Sequence, residues 1–246
     1  TLPAANHHAA SSSEVLQLLR EICLPLVVER VALPNAVGRV LCERICAPED
    51  QPAFDRSSVD GFAVRRDDAA ARFRVVDEIR AGDWKPRQLQ PGEAVRIATG
   101  GALPSDGLQV VMREDAEREG EFLSVLRRDG ERNIRFRGED ARVGQVLIEP
   151  GIRLQPGALG LLASVGCAQP LVTRLPRVLH LATGNEIVPP EEQPQRGQIR
   201  DSNSTLVRAF LEQWRIQPTQ LRVAEEESAA RAALQSSARE ADLILI

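Results

Sequence analysis

At 246 residues the chain is longer than one small domain and shorter than a large multidomain enzyme, and roughly 100–200 residues per domain predicts two units with a third incomplete. Hydrophobic residues make up 43% and charged residues 27%, which excludes a disordered chain. The 31 Lys+Arg against 35 Asp+Glu leave a formal charge of -4, so no global attraction to nucleic acid or an anionic membrane is expected. Nor does any apolar run approach the ~18–20 residues of a membrane span or resemble a secretory signal, and a cytoplasmic location is the expectation.

Residues 1–10 read as a loose leader. Ser11 and Glu14 have the spacing of a capping box, and Val15, Leu18, Leu19 and Ile22 follow at helical period, with Pro25 as the expected end. A second helix is expected over Ala36–Ile45, with Val40, Leu41 and Ile45 on one side and Pro48 stopping it. Two apolar stripes in so small a segment need a further partner, which predicts homodimerisation. From Pro52 to Arg142 short β-like runs appear: Phe73–Val76, Ala94–Ala98, Gln109–Met112, Phe122–Leu126 and Asn133–Phe136. Turns such as Pro91-Gly92 and Arg128-Asp129-Gly130 separate them, which suggests a small β-rich domain. A strand at Gly144–Pro150 and a helix at Leu154–Leu162, entered at Pro156, return the chain to its helical part. The expected division is 11–51 with 142–175 as a helical linker and dimerisation domain, and 52–141 as the β-rich domain.

Residues 176–246 read as the start of an α/β domain. Val178–Ala182 is an apolar strand, followed by a polar loop, Ile187–Arg200, and a capping cluster, Asp201–Ser204. Leu206, Val207, Phe210, Leu211 and Trp214 space as an amphipathic helix. A strand at Leu221–Ala224, a helix at Ser228–Ser237 and a strand at Leu243–Ile246 complete an alternation that argues for a parallel sheet. Three strands are few for this architecture, so a C-terminally truncated chain is expected. The fold class is therefore multidomain, α+β with α/β.

The four cysteines have no CxxC spacing, so free and mostly buried thiols are expected rather than zinc. In open parallel sheets ligands bind beyond the carboxyl ends of the strands, and the first strand here runs into Thr183-Gly184-Asn185-Glu186. Neither GxGxxG nor GxxxxGK[ST] occurs. The segment Phe54–Arg65 packs two carboxylates, two hydroxyls and a glycine together. Asn133–Asp140 alternates so that Arg135 and Arg137 share a strand face, a pair suited to an oxyanion. The acids that follow suit a hydrated Mg²⁺. Solvated turns with self-paired charges are the competing reading of both strings.

Together these strings resemble the molybdopterin molybdenumtransferase family, MoeA and the gephyrin E domain. PAFDRSSVDGFAVR resembles its P-x-F-D-x-S-x-M-D-G-Y-A-V segment, and Arg96–Pro104 its R-I-x-T-G-A-x-x-P. Asn133–Asp140 matches N-I-R-x-x-G-E-D, Ala182–Ile187 matches S-T-G-[DN]-E-[IL], and Gly197–Asn203 matches G-x-I-x-D-[ST]-N. The resemblance implies insertion of molybdate into adenylylated molybdopterin with release of AMP, using Mg²⁺. It also implies a homodimer whose cleft lies between the α/β domain of one protomer and the β-rich domain of its partner, and the molybdopterin adenylyltransferase as a further candidate partner.

By motif position, Asp60, Thr99 and Asp140 would line the cleft from the β side and Glu186 from the other. Asp60, Asp140 and Glu186 would hold the metal, and Thr99 would position phosphate or molybdate through its hydroxyl. Ser57, Arg135, Arg137, Thr183, Gly184, Asp201 and Ser202 would bind substrate. Glu225 would do so too, where the family has aspartate. Val59 and Phe62 replace the usual Met and Tyr. The family's S-G-G-V-S-x-G loop and C-terminal barrel have no match, so these 246 residues alone are expected not to turn over. A non-catalytic dimeric scaffold of the same family is the alternative.

Overall fold

The computed structural model describes residues 11–22, 26–128, 130, 132–237 and 239–246. The leader at 1–10, Cys23, the helix end at Pro25 and Asp129 of one expected turn lie outside them. Two compact units emerge, Arg44–Glu149 and the described residues of 11–43 with 150–246, so the stretches read from sequence as helical linker and α/β domain fall largely within one unit.

The unit Arg44–Glu149 is built on a six-stranded sheet. Its order is Leu108–Met112, Gly61–Arg65, Glu93–Ile97, Arg72–Ile79, Phe122–Val125, Ala116–Glu119. Only Arg72–Ile79 and Glu93–Ile97 run parallel. Side chains alternate across a strand, and here both faces are covered. Ala63, Val95, Ile97 and Val110 join one apolar cluster, while Phe62, Val64, Ala94 and Val111 join another with Phe73 and Leu123. That double burial explains why Gly61–Arg65, which the sequence reading does not list as a strand, shows no polar alternation. Ala116–Glu119 was not expected either. The other β runs are observed within a few residues of their expected places.

In the second unit the helix Ser12–Ile22 opens with the expected capping box. The Ser11 amide donates to Glu14 Oε2 at 2.7 Å and the Glu14 amide to Ser11 Oγ at 3.3 Å. Its Val15, Leu16, Leu18 and Leu19 are exposed. The helix expected over Ala36–Ile45 is not there. A single turn, Leu33–Ala36, is followed by Gly38 at φ +79°, outside the helical region. Val40 and Leu41 then bridge to Arg153 and Val172, and Ile45–Cys46, already part of the unit Arg44–Glu149, pairs as a strand with Val146–Ile148 of that unit. The apolar spacing was real, but the fully buried Leu41 serves a strand-like core. Strand Val28–Arg30 pairs with Leu171–Thr173, and the helix entered at Pro156 spans Pro156–Ser164.

The α/β portion matches its sequence pattern closely. Strand Val178–Thr183 lies between Thr219–Val223 and Leu243–Leu245, all parallel. Helices Ser202–Glu212 and Glu227–Ser237 supply the crossovers. Leu179 and Leu181 are 2% exposed and pack with Val223, Leu221, Ala233 and Leu234. The loop read as Ile187–Arg200 contains a small parallel ribbon, Ile187–Val188 with Ile199–Arg200. Cys42, Cys46 and Cys167 are free as expected, but they are not buried: Cys42 and Cys167 are partly exposed and Cys46 is exposed. Among the described residues no helix is long and apolar enough to cross a membrane.

Candidate functional site

In the unit Arg44–Glu149 the backbone gathers three sequence motifs at one place. Arg56–Ser57 pairs antiparallel with Ile134–Arg135, and the Ser58 amide donates to the Asn133 carbonyl at 3.0 Å. The Ser57 amide donates to Gly101 O at 2.9 Å, and the Gly100 amide returns to Ser57 O at 2.8 Å. Asp60 and Thr99 meet across that junction. Asp60 Oδ1 accepts from the Thr99 amide at 2.7 Å and from its hydroxyl at 2.8 Å. These two bonds, with Arg113 and Arg96 nearby, hold the Asp60 carboxyl below the usual aspartate range. Among the described residues no hydrogen bond reaches its Oδ2. The next residue, Gly61, lets strand Leu108–Met112 come close: a Cβ there would stand 2.1 Å from Val111 O.

Asp60, Glu78, Arg96 and Arg113, together with Gly61, Phe62, Ile97 and Ala98, line a cleft of about 90 Å³. The involvement of Arg113 and Glu78 is not foreseen from sequence, because Glu78 enters from strand Arg72–Ile79 and Arg113 from the 3-10 turn Arg113–Asp115, both distant from Asp60 in sequence. Arg96 Nη1 lies 3.5 Å from Glu78 Oε2. The sole hydroxyl proton of Thr99 goes to Asp60, so Thr99 orients the carboxylate and has no proton left to offer an oxyanion at the same time.

Other expected residues are placed differently. Ser57 is buried, and its hydroxyl donates to Val59 O at 2.6 Å. Arg135 and Arg137 do not share a strand face. The strand ends at Arg135, and a turn follows in which the Glu139 amide donates to Phe136 O at 3.1 Å. Arg135 Nη2 pairs with Asp140, and its Nε lies 3.6 Å from Glu139. Arg137 Nε bonds Asp50 Oδ2 at 2.7 Å, and its amide donates to Asp55 Oδ1 at 2.7 Å. Asp50 sits below its ordinary range because the Val143 amide and Arg137 both donate to it.

The second group of residues lies at the carboxyl end of strand Val178–Thr183, in the other unit. Glu186 folds its carboxylate over Gly184, where an added Cβ would stand 2.7 Å from Oε2. Asn185 Oδ1 accepts from the Glu225 amide at 3.1 Å, joining this turn to the end of strand Thr219–Val223. The Ile199 amide donates to Glu186 O at 2.8 Å, and the Asp201 amide to Val188 O at 2.9 Å. Asp201 caps helix Ser202–Glu212 through the Ser204 amide at 2.9 Å and hydroxyl at 2.6 Å, and meets Arg222 at 3.2 Å. Burial pushes its carboxyl up, but Ser204 and Arg222 outweigh that and leave it below the usual range. Ser202 is exposed on the first helical turn.

Among the described residues no three His, Cys, Asp or Glu side chains converge as a metal site. Asp60 is engaged by Thr99 and Asp140 by Arg135, so the donors of this chain as described do not form a Mg²⁺ cage.

The fold and these two clusters define a mixed β-rich and α/β protein with candidate ligand residues at a sheet junction and a strand end. A family profile described as the MoeA N-terminal region (domain I and II) matches residues 10–166. The molybdopterin molybdenumtransferase of Bacillus subtilis is 38% identical over 231 residues, covering 88% of this chain and 54% of that protein. That of Staphylococcus aureus (strain Mu50) is 36% identical over 190 residues, covering 74% and 45%. A crystal structure of the molybdopterin biosynthesis MoeA protein of Pyrococcus horikoshii OT3 superposes with TM-score 0.83 at 32% identity, covering 94% of this chain and 64% of that one. The chain belongs to the MoeA family of molybdenum-cofactor biosynthesis proteins. It spans about half the length of the curated relatives it matches.

Proposed function

We propose that the gene product carrying this sequence inserts molybdate into adenylylated molybdopterin and releases AMP. The observation that carries this reading is the Asp60–Thr99 pair, preorganised at the meeting point of three motifs and flanked by Arg96 and Arg113. A cleft of about 90 Å³ is smaller than the ~300 Å³ at which drug-sized ligand pockets begin, so an oxyanion suits it better than a whole nucleotide. In this reading the two guanidiniums attract the oxyanion, and Thr99 orients Asp60 so that its Oδ2 is left to accept from a hydrogen-bond donor of the substrate beside it. The strand-end group Thr183, Gly184, Glu186, Asp201, Ser202 and Glu225 takes the organic part of the substrate, in keeping with ligand binding beyond the strands of parallel sheets. Asp140, Arg135, Arg137 and Ser57 act on this proposal through the junction they hold together.

Mg²⁺ is implied by the family resemblance, and no step is routed through it, since one chain as described assembles no cage for it. A homodimer is part of the proposal. The exposed Val15, Leu16, Leu18 and Leu19 of the first helix supply an apolar stripe for a second copy. Comparing AMP release by the gene product with and without molybdate tests the activity. Molybdate-dependent release is expected; binding of the adenylylated pterin with no release under either condition would favour the scaffold reading.

A further inference from the structure

One side chain ties helix Ser202–Glu212 to the sheet. Gln220 stands beside His180 of the central strand in the parallel register. Gln220 Oε1 accepts from Arg208 Nε at 2.9 Å and from Arg208 Nη2 at 2.7 Å. Gln220 Nε2 donates to the Ser204 carbonyl at 2.7 Å and lies 3.2 Å from His180 Nδ1. The oxygen and nitrogen of a glutamine amide are ordinarily hard to tell apart. Here the partners decide: a guanidinium only donates and a carbonyl only accepts, so oxygen faces Arg208 and nitrogen faces Ser204. The second N–H of the amide then points at His180 Nδ1, which must accept, and the ring proton of the neutral imidazole stands on Nε2.

All four hydrogen-bonding positions of the Gln220 amide are thereby filled, three bonds from two helix residues and one from the central strand. His180 is 6% exposed, so water does not readily replace a lost partner. The network continues toward the strand-end residues. Ser204, which gives its carbonyl to Gln220, donates its amide and hydroxyl to Asp201, and Asp201 meets Arg222 two residues along the Gln220 strand. The opposite sheet face is apolar, with Leu179, Leu181 and Val223 against Ala233 and Leu234.

We propose that Gln220 is a positioning residue: it sets the His180 tautomer and holds the helix start, Asp201–Ser202, in place beside Thr183–Glu186. Its link to function rests on the reading of the strand end given above, but its test needs no ligand, so the two can fail separately. The ¹⁵N shifts of the His180 ring, recorded on the full chain in mildly alkaline buffer and assigned with His180→Gln, should show a proton on Nε2 and an unprotonated Nδ1. Gln220→Glu keeps the acceptor oxygen for Arg208 and puts a second oxygen in place of the amide nitrogen, which removes both donors. It should shift the His180 pattern and speed amide exchange at residues 205–208 by about tenfold, while helix Glu227–Ser237 keeps its protection. A proton on Nδ1 in the parent protein overturns the proposal even if the variant does not fold. Unchanged ring shifts or unchanged exchange in a folded variant also overturn it.

Discussion

Replacing Gly61 by alanine puts one methyl group where the structure has no room. The new Cβ would stand 2.1 Å from Val111 O and 3.0 Å from Val110 Cγ1. Carbon–oxygen contacts settle at ~3.3 Å, so strand Leu108–Met112 would have to recoil by about 1 Å. A backbone carbonyl in a paired strand cannot swing aside as a flexible side chain can, and Gly61 lies between two partner strands, opposite Met112 and Ile97. Overpacking a core costs ~1–3 kcal/mol and occasionally more; the rigid neighbour places this case at about 3 kcal/mol. At ~4–8 °C per kcal/mol for a domain of this size, the melting temperature should fall by about 12 °C or more. Urea denaturation followed by far-UV circular dichroism measures the loss. The damage should also reach Asp60, because its carbonyl accepts from the Arg113 amide at 3.0 Å, directly beside the displaced strand. A Gly61→Ala protein with an unchanged urea midpoint would refute the reasoning.

Gly160 in helix Pro156–Ser164 is the opposite case, since an added Cβ meets nothing within 4 Å; Gly160→Ala should stabilise by about 0.5–1 kcal/mol in the same assay. Asp201→Ala removes the cap of helix Ser202–Glu212 and should cost about 1–2 kcal/mol, with faster amide exchange confined first to that helix. Asp242 accepts from Arg174 and from both the backbone and side chain of Arg177, which hold its carboxyl well below the usual 3.8. The unfolded chain therefore binds this proton more readily. The stabilisation is complete above the ordinary aspartate value and is lost as pH falls below it toward the depressed one. Stability measured from pH 5 downward should decline less steeply in Asp242→Asn than in the parent.

Legibility from sequence followed the physical distinctness of each pattern. Val178–Thr183 was readable because a strand covered on both faces is a continuous apolar run, and the cap at Asp201 because its hydrogen bonds are local. Gly61–Arg65 is equally central but was hidden: it is short, begins with glycine and runs into charge. Ala36–Ile45 misled because Val40, Leu41 and Ile45 fit a helical spacing, while Gly38 at φ +79° and long-range pairing with Arg153 and Val172 decided otherwise. Arg135 and Arg137 were read as one face because alternation assumes the strand continues, and it stops at Arg135. The motifs marked Asp60 and Thr99 separately. Their hydrogen bond, and the cleft with Glu78, Arg96 and Arg113, depend on strand order that no local pattern encodes.

The most direct test of the account is molybdate-dependent AMP release from adenylylated molybdopterin by the gene product, comparing the parent with Asp60→Ala. If the Asp60–Thr99 junction lies at the reacting centre, the variant should remain folded and lose turnover by about 10²-fold or more, equivalent to about 2.7 kcal/mol of transition-state stabilisation. A folded Asp60→Ala protein that releases AMP at the parent rate would contradict the assignment of this junction as the site.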